Sequence, residues 1–149
     1  MRVLVSACLL GVSCRYDGQS KAYPLVEELC RRHEVVPVCP EQLGGLPTPR
    51  TPAERQGSRV VTKSGVDVTE QYLRGAAEAV RLAKVLGCTV AVLKERSPSC
   101  GSGEVYDGTF TGTLTDGFGT AAEALRAAGI RVLGESQLAA FLAENETAF

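Results

Sequence analysis

Residues 69–93 read TEQYLRGAAEAVRLAKVLGCTVAVL, and two different periods meet at Gly87. Before the glycine, Leu73, Ala76, Val80 and Ala83 recur at three- and four-residue steps, the spacing that lays one apolar stripe along a helix. Thr69 is placed to cap that helix and Gly87 to end it. Beyond the glycine, Val90 to Leu93 is an unbroken apolar run, as expected of a strand covered on both faces of a parallel sheet. Similar runs occupy residues 3–5, 35–38 and 130–133. Pro24 suits a first helical position, with Leu25, Val26, Leu29 and Cys30 as the stripe of the helix it opens. Thr120 and Glu123 form a capping-box pattern before Ala124, Leu125 and Ala128, and Gly129 stops that helix. Ser136 starts a last helix that buries Leu138, Phe141 and Leu142. The order β-α-β, a detour, then α-β-α-β-α predicts an α/β fold: a Rossmann-like, doubly wound parallel sheet of about four strands with right-handed crossovers.

Within the detour, residues 59–62 and 66–68 flank Lys63-Ser64-Gly65 as a small inserted β-hairpin. Residues 40–58 and 94–119 carry no helix or strand period, and loops of that length in a small domain are more often functional than idle. Prolines 40, 47, 49 and 52 also suit a linker, but the pieces on either side hold too few strands to fold alone.

With 149 residues, 44% of them hydrophobic, the chain is large enough for one domain to bury a proper core, so residues 1–149 are expected to form one domain. Sixteen basic against seventeen acidic residues leave a net charge of −1. Neither sign forms a long block, so nothing announces a nucleic-acid-binding tail or a membrane-seeking face. No run of about twenty apolar residues is present for a membrane span. The opening MRVLVSACLLGVSC reads as a strand entering a Gly/Cys loop and not as a signal peptide. A cytoplasmic location is therefore expected. In that reducing compartment six cysteines are free thiols or metal ligands, and no C-x-x-C pair offers a zinc-ribbon or thioredoxin spacing.

Cys8 follows the first strand, Cys39 the second, and Cys100 lies in the loop after the third. Carboxyl ends of parallel strands converge on one edge, where ligands bind at the reversal of strand order. Three thiolates at one point suit a soft metal or an iron-sulfur cluster. On a cubane they would leave one iron open to a substrate atom, as the open position of catalytic zinc does. Position alone fits three unrelated loop cysteines equally well. Cys30, on its helix stripe, reads as a buried structural thiol, and Cys88, at the opposite edge of the sheet, reads the same way. Cys14 has three readings: fourth ligand, transient sulfur acceptor or packed thiol.

Five motifs now carry a resemblance. Ser6-Ala7-Cys8-Leu9-Leu10-Gly11, Cys14-Arg15-Tyr16-Asp17-Gly18, Val38-Cys39-Pro40-Glu41 with Gly44-Gly45-Leu46-Pro47 and Pro49-Arg50, Leu93-Lys94-Glu95, and Ser97-Pro98-Ser99-Cys100-Gly101 together resemble the thiouracil desulfidase family. The resemblance spans most of the chain. It implies a 4Fe-4S enzyme that removes sulfur as hydrosulfide from thiolated pyrimidines of the 2-thiouracil or 4-thiouracil type, with Cys8, Cys39 and Cys100 as cluster ligands. It further implies that Glu41 is the acid-base residue and Ser97 the active-site serine, with Ser99 the alternative. Some relatives carry an additional domain and act on thiouridine in transfer RNA. This chain is about one family domain long, so the expected substrate is a free base or nucleotide, not a nucleic acid. Two rival readings are a cluster-dependent sulfurtransferase on another metabolite and a non-enzymatic iron-sulfur or metal redox sensor in which Cys14 completes a four-thiolate site.

Without the resemblance, Glu41 is a solvated loop charge and the two serines are turn chemistry around Pro98. Tyr16-Asp17-Gly18 and Tyr106-Asp107-Gly108 repeat a tripeptide whose Tyr can stack on a pyrimidine and whose Asp can accept a ring N–H. Asp-Gly is also an ordinary turn, the favoured reading. Gly117 and Gly119 can offer helix amides to a phosphate, although no dinucleotide or Walker pattern is present. Arg50 and Arg55 could serve the same anion, with a solvated role the favoured reading, and His33 reads as a favourable charge at the carboxyl end of its helix.

Overall fold

A computed structural model of the chain describes residues 1–144. Four parallel strands, β1 (Arg2–Ser6), β2 (Glu34–Val38), β5 (Cys88–Leu93) and β8 (Arg131–Gly134), form one sheet in the order β2-β1-β5-β8. The chain steps outward from β1 to β2, then crosses to the other side for β5 and β8. The switch in strand order therefore falls between β1 and β5.

Alternate strand residues feed two cores. Val3, Val5, Val90, Val92 and Leu133 pack under α1 (Leu25–Arg32) and α5 (Leu138–Glu144). Leu4, Ala91 and Leu93 face α3 (Thr69–Leu86) and α4 (Thr120–Ala127) on the other side. The central strands β1 and β5 are buried on both faces, as their unbroken apolar runs require. β2 is an edge strand and is only partly covered. Pro37 is tolerated there because an edge strand has one side with no ladder to satisfy. The doubly wound α/β sheet expected from the sequence is the sheet observed.

Several details differ from the expectation. The inserted hairpin pairs β3 (Ala53–Gln56) with β4 (Arg59–Thr62). The anticipated partner at 66–68 contributes a single bridge, Val61 to Asp67, before the chain turns into α3. A second hairpin, β6 (Ser102–Tyr106) with β7 (Leu114–Phe118), and the short helix α2 (Pro40–Leu43) lie in the two stretches without a period. The buried face of α3 is Tyr72, Gly75, Ala76, Ala79 and Ala83, while Leu73 is 55% exposed. Ala76 and Ala83 are buried as expected and Val80 is half-buried, but the face extends to Tyr72, Gly75 and Ala79 in place of Leu73. On α1, Val26 and Leu29 are buried and His33 follows them at the helix end. Cys30, one step further round, is exposed and is not a core thiol. Thr69 does not cap α3: its hydroxyl accepts from the Val60 N–H, and Asp67 Oδ1 accepts from the Thr69 N–H instead. The capping box expected at Thr120 and Glu123 is absent too, since Gly119 holds the cap position and Glu123 pairs with Arg55.

Candidate active site

All three strand-end cysteines open onto one cavity of about 600 Å³ at the carboxyl edge of the sheet. The volume is that of a small-molecule site. Cys8 sits in a 3₁₀ turn, Ala7–Leu10, that continues from β1. Cys39 leaves β2 and precedes α2. Cys100 follows β5 in a loop stitched to the start of α4: the N–H groups of Gly119, Thr120, Ala121 and Ala122 donate to the carbonyls of Gly101, Pro98 and Ser99. Those bonds use the helix amides that had been candidates for a phosphate. Gly119 is required there, because a β-carbon on it would collide with the Ser99 backbone.

Ser6 connects β1 to the Cys100 loop. Its hydroxyl accepts from the Lys94 N–H at 2.9 Å and donates to Cys100 Sγ at 3.2 Å. Cys14 is buried on the same wall, and its carbonyl lies 3.7 Å from Cys39 Sγ. Burial, then the proximity of Cys100 and Cys14, pushes the Cys8 thiol up to about 12. Burial and the neighbouring Cys39 likewise push Cys14 up to about 12. Cys100 is raised by burial to about 11 against the hydrogen bonds from Ser6 and Ser99, which pull it down. Burial keeps these thiols protonated, and a cation bound among them would lower their pKa values. Among the described residues, no group of three His, Cys, Asp or Glu side chains is gathered to hold a single metal ion. Cys8, Cys39 and Cys100 all line the cavity, and sulfur donors suit iron-sulfur clusters and soft metals.

Glu41 stands at the first turn of α2, and α2 lies backbone to backbone on α3 through Gly44 and Gly75. A β-carbon on Gly75 would overlap the Pro40 carbonyl, and one on Gly44 would overlap that of Gln71. This contact brings Tyr72 beneath Glu41. Glu41 Oε1 accepts from Tyr72 Oη and Arg50 Nε, both at 2.9 Å. Oε2 accepts from Ser99 Oγ at 2.8 Å and, more distantly, from Ser97 Oγ at 3.5 Å. Ser97 Oγ also accepts from the N–H groups of Ser99 and Cys100 at 3.1 Å each, so the turn role and the place beside Glu41 coexist in one hydroxyl. Ser99 is buried and Ser97 is half-buried.

Arg50, expected to be solvated, is in a buried ion pair with Glu41. Arg55 is also engaged: it donates to the carbonyls of Gly57 and Phe118 and pairs with Glu123, tying the first hairpin to β7 and α4. Tyr16 lies on the cavity wall at its exposed mouth. Asp17 does not line the cavity; its carboxylate accepts from the Gln19 N–H and sits 3.6 Å from Arg15. Asp107 makes the matching turn with Thr109, whereas Tyr106 and Phe110 do line the cavity. Tyr72 was not singled out from sequence, and Arg50 was weighed only as a partner of an anion and not of Glu41. The small-residue face of Gly75, Ala76, Ala79 and Ala83 was the available signal for Tyr72, since it marks the side of α3 that another backbone approaches.

Residues 3–137 match the model of the 2-thiouracil desulfurase family. Uncharacterized protein YbbK of Bacillus subtilis (strain 168) is 44% identical over 146 residues, covering 91% of this chain and 97% of that protein. A solved structure of the 4Fe-4S-dependent thiouracil desulfidase TudS superimposes with a TM-score of 0.90 at 49% identity, over 96% of this chain and 98% of that one. The family match covers the sheet, the three strand-end cysteines and the Glu41 network together, and the chain belongs to the 2-thiouracil desulfurase family.

Proposed function

We propose that this chain is a 4Fe-4S-dependent thiouracil desulfidase, with Cys8, Cys39 and Cys100 holding the cluster and Glu41 handling the protons. One observation carries the reading: the strand-end cysteines and the Glu41, Ser99 and Ser97 chain of hydrogen bonds open onto the same cavity. The reaction is a hydrolysis, in which a thiocarbonyl and water give a carbonyl and hydrogen sulfide with no net redox change. When bound, the cluster supplies a Lewis-acidic iron for the thiocarbonyl sulfur.

Glu41 takes a proton from the attacking water at Oε2 and returns it to the departing sulfur. Ser97, half-buried on the wall, hydrogen-bonds the ring or its tetrahedral adduct, while Ser99 holds Glu41 from within. Tyr16 at the mouth offers a ring for stacking on the pyrimidine. Asp17 stays in its turn and takes no part. Arg15, Lys21 and Lys63 add positive charge to the wall, which suits an anionic nucleotide better than a neutral base. A reducing, cytoplasmic compartment goes with this chemistry. Among the described residues no helix is long and apolar enough to cross a membrane.

The test is anaerobic reconstitution with iron and sulfide analysis, followed by an assay of hydrosulfide release from 2-thiouracil, 4-thiouracil and thiouridine monophosphate. Failure to assemble a cluster overturns the reading. Glu41→Gln should keep its iron and lose about 10²- to 10⁴-fold in turnover, the contribution of a positioned acid-base group. Normal turnover would remove the proton-transfer role.

A further inference from the structure

The two oxygens of Glu41 are not equivalent, and the difference is built from outside the reacting groups. We propose that Arg50 and Tyr72 are positioning residues that pin Oε1 of Glu41 and thereby fix Oε2 as the oxygen that exchanges protons in the cavity. The inference rests on Glu41 being the proton-handling group of the function proposed above.

Oε1 receives two donors, Arg50 Nε and Tyr72 Oη, and so has both lone pairs engaged. Both donors are fixed. The Arg50 side chain is 6% exposed and Tyr72 is 2% exposed. The Arg50 fork is fully placed: Nη1 donates to the Pro47 carbonyl at 3.1 Å and to Thr48 Oγ1 at 3.0 Å, and Nη2 donates to the Cys14 carbonyl at 3.0 Å. Its own backbone N–H reaches the Tyr16 carbonyl at 2.8 Å. Tyr72 is locked by the contact between α2 and α3 at Gly44 and Gly75, and packs against Val60 and Val68. Oε2, by contrast, meets only the hydroxyls of Ser99 and Ser97 among the described residues, groups that can accept as well as donate. A carboxylate clamped on one side and flanked by rotatable hydroxyls on the other has its terminal torsion fixed and one oxygen available. A lysine at position 50 would keep the charge but not the fork, so it would not hold Glu41 in the same plane.

The test uses the reconstituted holoenzyme and three variants, Tyr72→Phe, Arg50→Lys and Arg50→Ala. Tyr72→Phe removes only the hydroxyl and keeps the ring in its apolar cluster, so it carries the test if an Arg50 variant fails to fold. Iron and sulfide content should stay at the wild-type level, and KM should stay within about twofold. The expected fall in kcat is about 10-fold for Tyr72→Phe and about 100-fold for Arg50→Lys, the range for lost supporting hydrogen bonds and misplaced groups. Added guanidinium should restore part of the turnover of Arg50→Ala and none of that of Glu41→Gln. A crystal structure of Tyr72→Phe should show the Glu41 carboxylate rotated. Unchanged kcat with a full cluster, a loss confined to KM, or an unrotated Glu41 would each overturn the positioning role alone. A wild-type enzyme with a full cluster and no turnover on any of the three substrates would overturn the proposed function itself, and this role with it.

Discussion

Strand β5 has a buried cysteine near each end. Cys88 begins the strand and Cys100 lies in the loop that follows it. Their exposures are 6% and 5%, and both belong to the same apolar cluster with Leu4, Ala91 and Leu93. Neither burial nor hydrophobic neighbours tell them apart. Their polar surroundings do. At Cys100 the hydroxyls of Ser6 and Ser99 reach the sulfur, and Glu41 and the other cavity thiols stand nearby. At Cys88 burial raises the thiol pKa and Arg2 lowers it, with no second cysteine involved. The six residues of β5 put about 20 Å between the two ends. In a parallel sheet the direction of the strand, not the burial of a residue, decides which end can carry chemistry.

The largest expected contrast comes from removing each sulfur in turn. Cys100→Ala should lose its iron and all turnover after reconstitution, whereas Cys88→Ala should keep both and lose about 1 kcal/mol of stability in denaturant. Equal behaviour of the two would erase the distinction. Next comes the support beneath the carboxyl edge. Gly75→Ala forces a β-carbon into the Pro40 carbonyl and should destabilise the fold by about 1–3 kcal/mol while displacing Glu41. Denaturation curves and kcat should both register it, and a silent variant would show that α2 is free to slide on α3.

Cys14→Ala probes the carboxyl edge more gently. Cys14 shares the cavity wall, yet iron content and activity should remain near those of the wild type. Loss of the cluster would make it a fourth ligand, closing the open iron and favouring a sensor. The smallest effect is expected at the amino edge. Arg2 pairs with Glu34 and donates to the Leu86 carbonyl, all at the surface. The hydrogen bond from Arg2 holds the Glu34 carboxyl below its usual value of 4.5. A depressed carboxyl stabilises the fold above its unfolded pKa, and the contribution fades as pH falls through the lowered value. Arg2→Ala should therefore lower Tm slightly at neutral pH, converge with the wild type in acid, and leave iron and turnover unchanged.

The sheet was legible because its signal is local. Val90 to Leu93 and the run at 3–5 are unbroken apolar stretches, and strand order alone assigns the cysteines that follow strands to one edge. The hairpin of β6 and β7 was not legible, since only Val105 is buried in the two strands and SGEVY and LTDGF, each with an internal glycine, carry no sustained alternation of apolar and polar residues. The burial of Arg50 was hidden for a different reason. Its partner Glu41 is nine residues away across a proline-rich loop, and no period connects them. Tyr72 was passed over because Leu73 beside it is the more hydrophobic residue. The helix turns its smallest side chains inward to let α2 approach, and Tyr72 rides on that face. Cys30 shows the same fault in miniature: an apolar residue next to a buried one is not on its face.

The loop that carries Cys100 is bound to the first turn of α4 by four backbone donors. Each of those bonds is made by protein to protein, so the Cys100 loop takes its shape from the fold. In a zinc finger the metal-binding energy is spent on folding, and the free chain is disordered. Here four backbone bonds to α4 hold the chain around Cys100. The position of Cys100 is thereby tied to α4, so a substitution that shifts the first turn of that helix would move the sulfur without touching it.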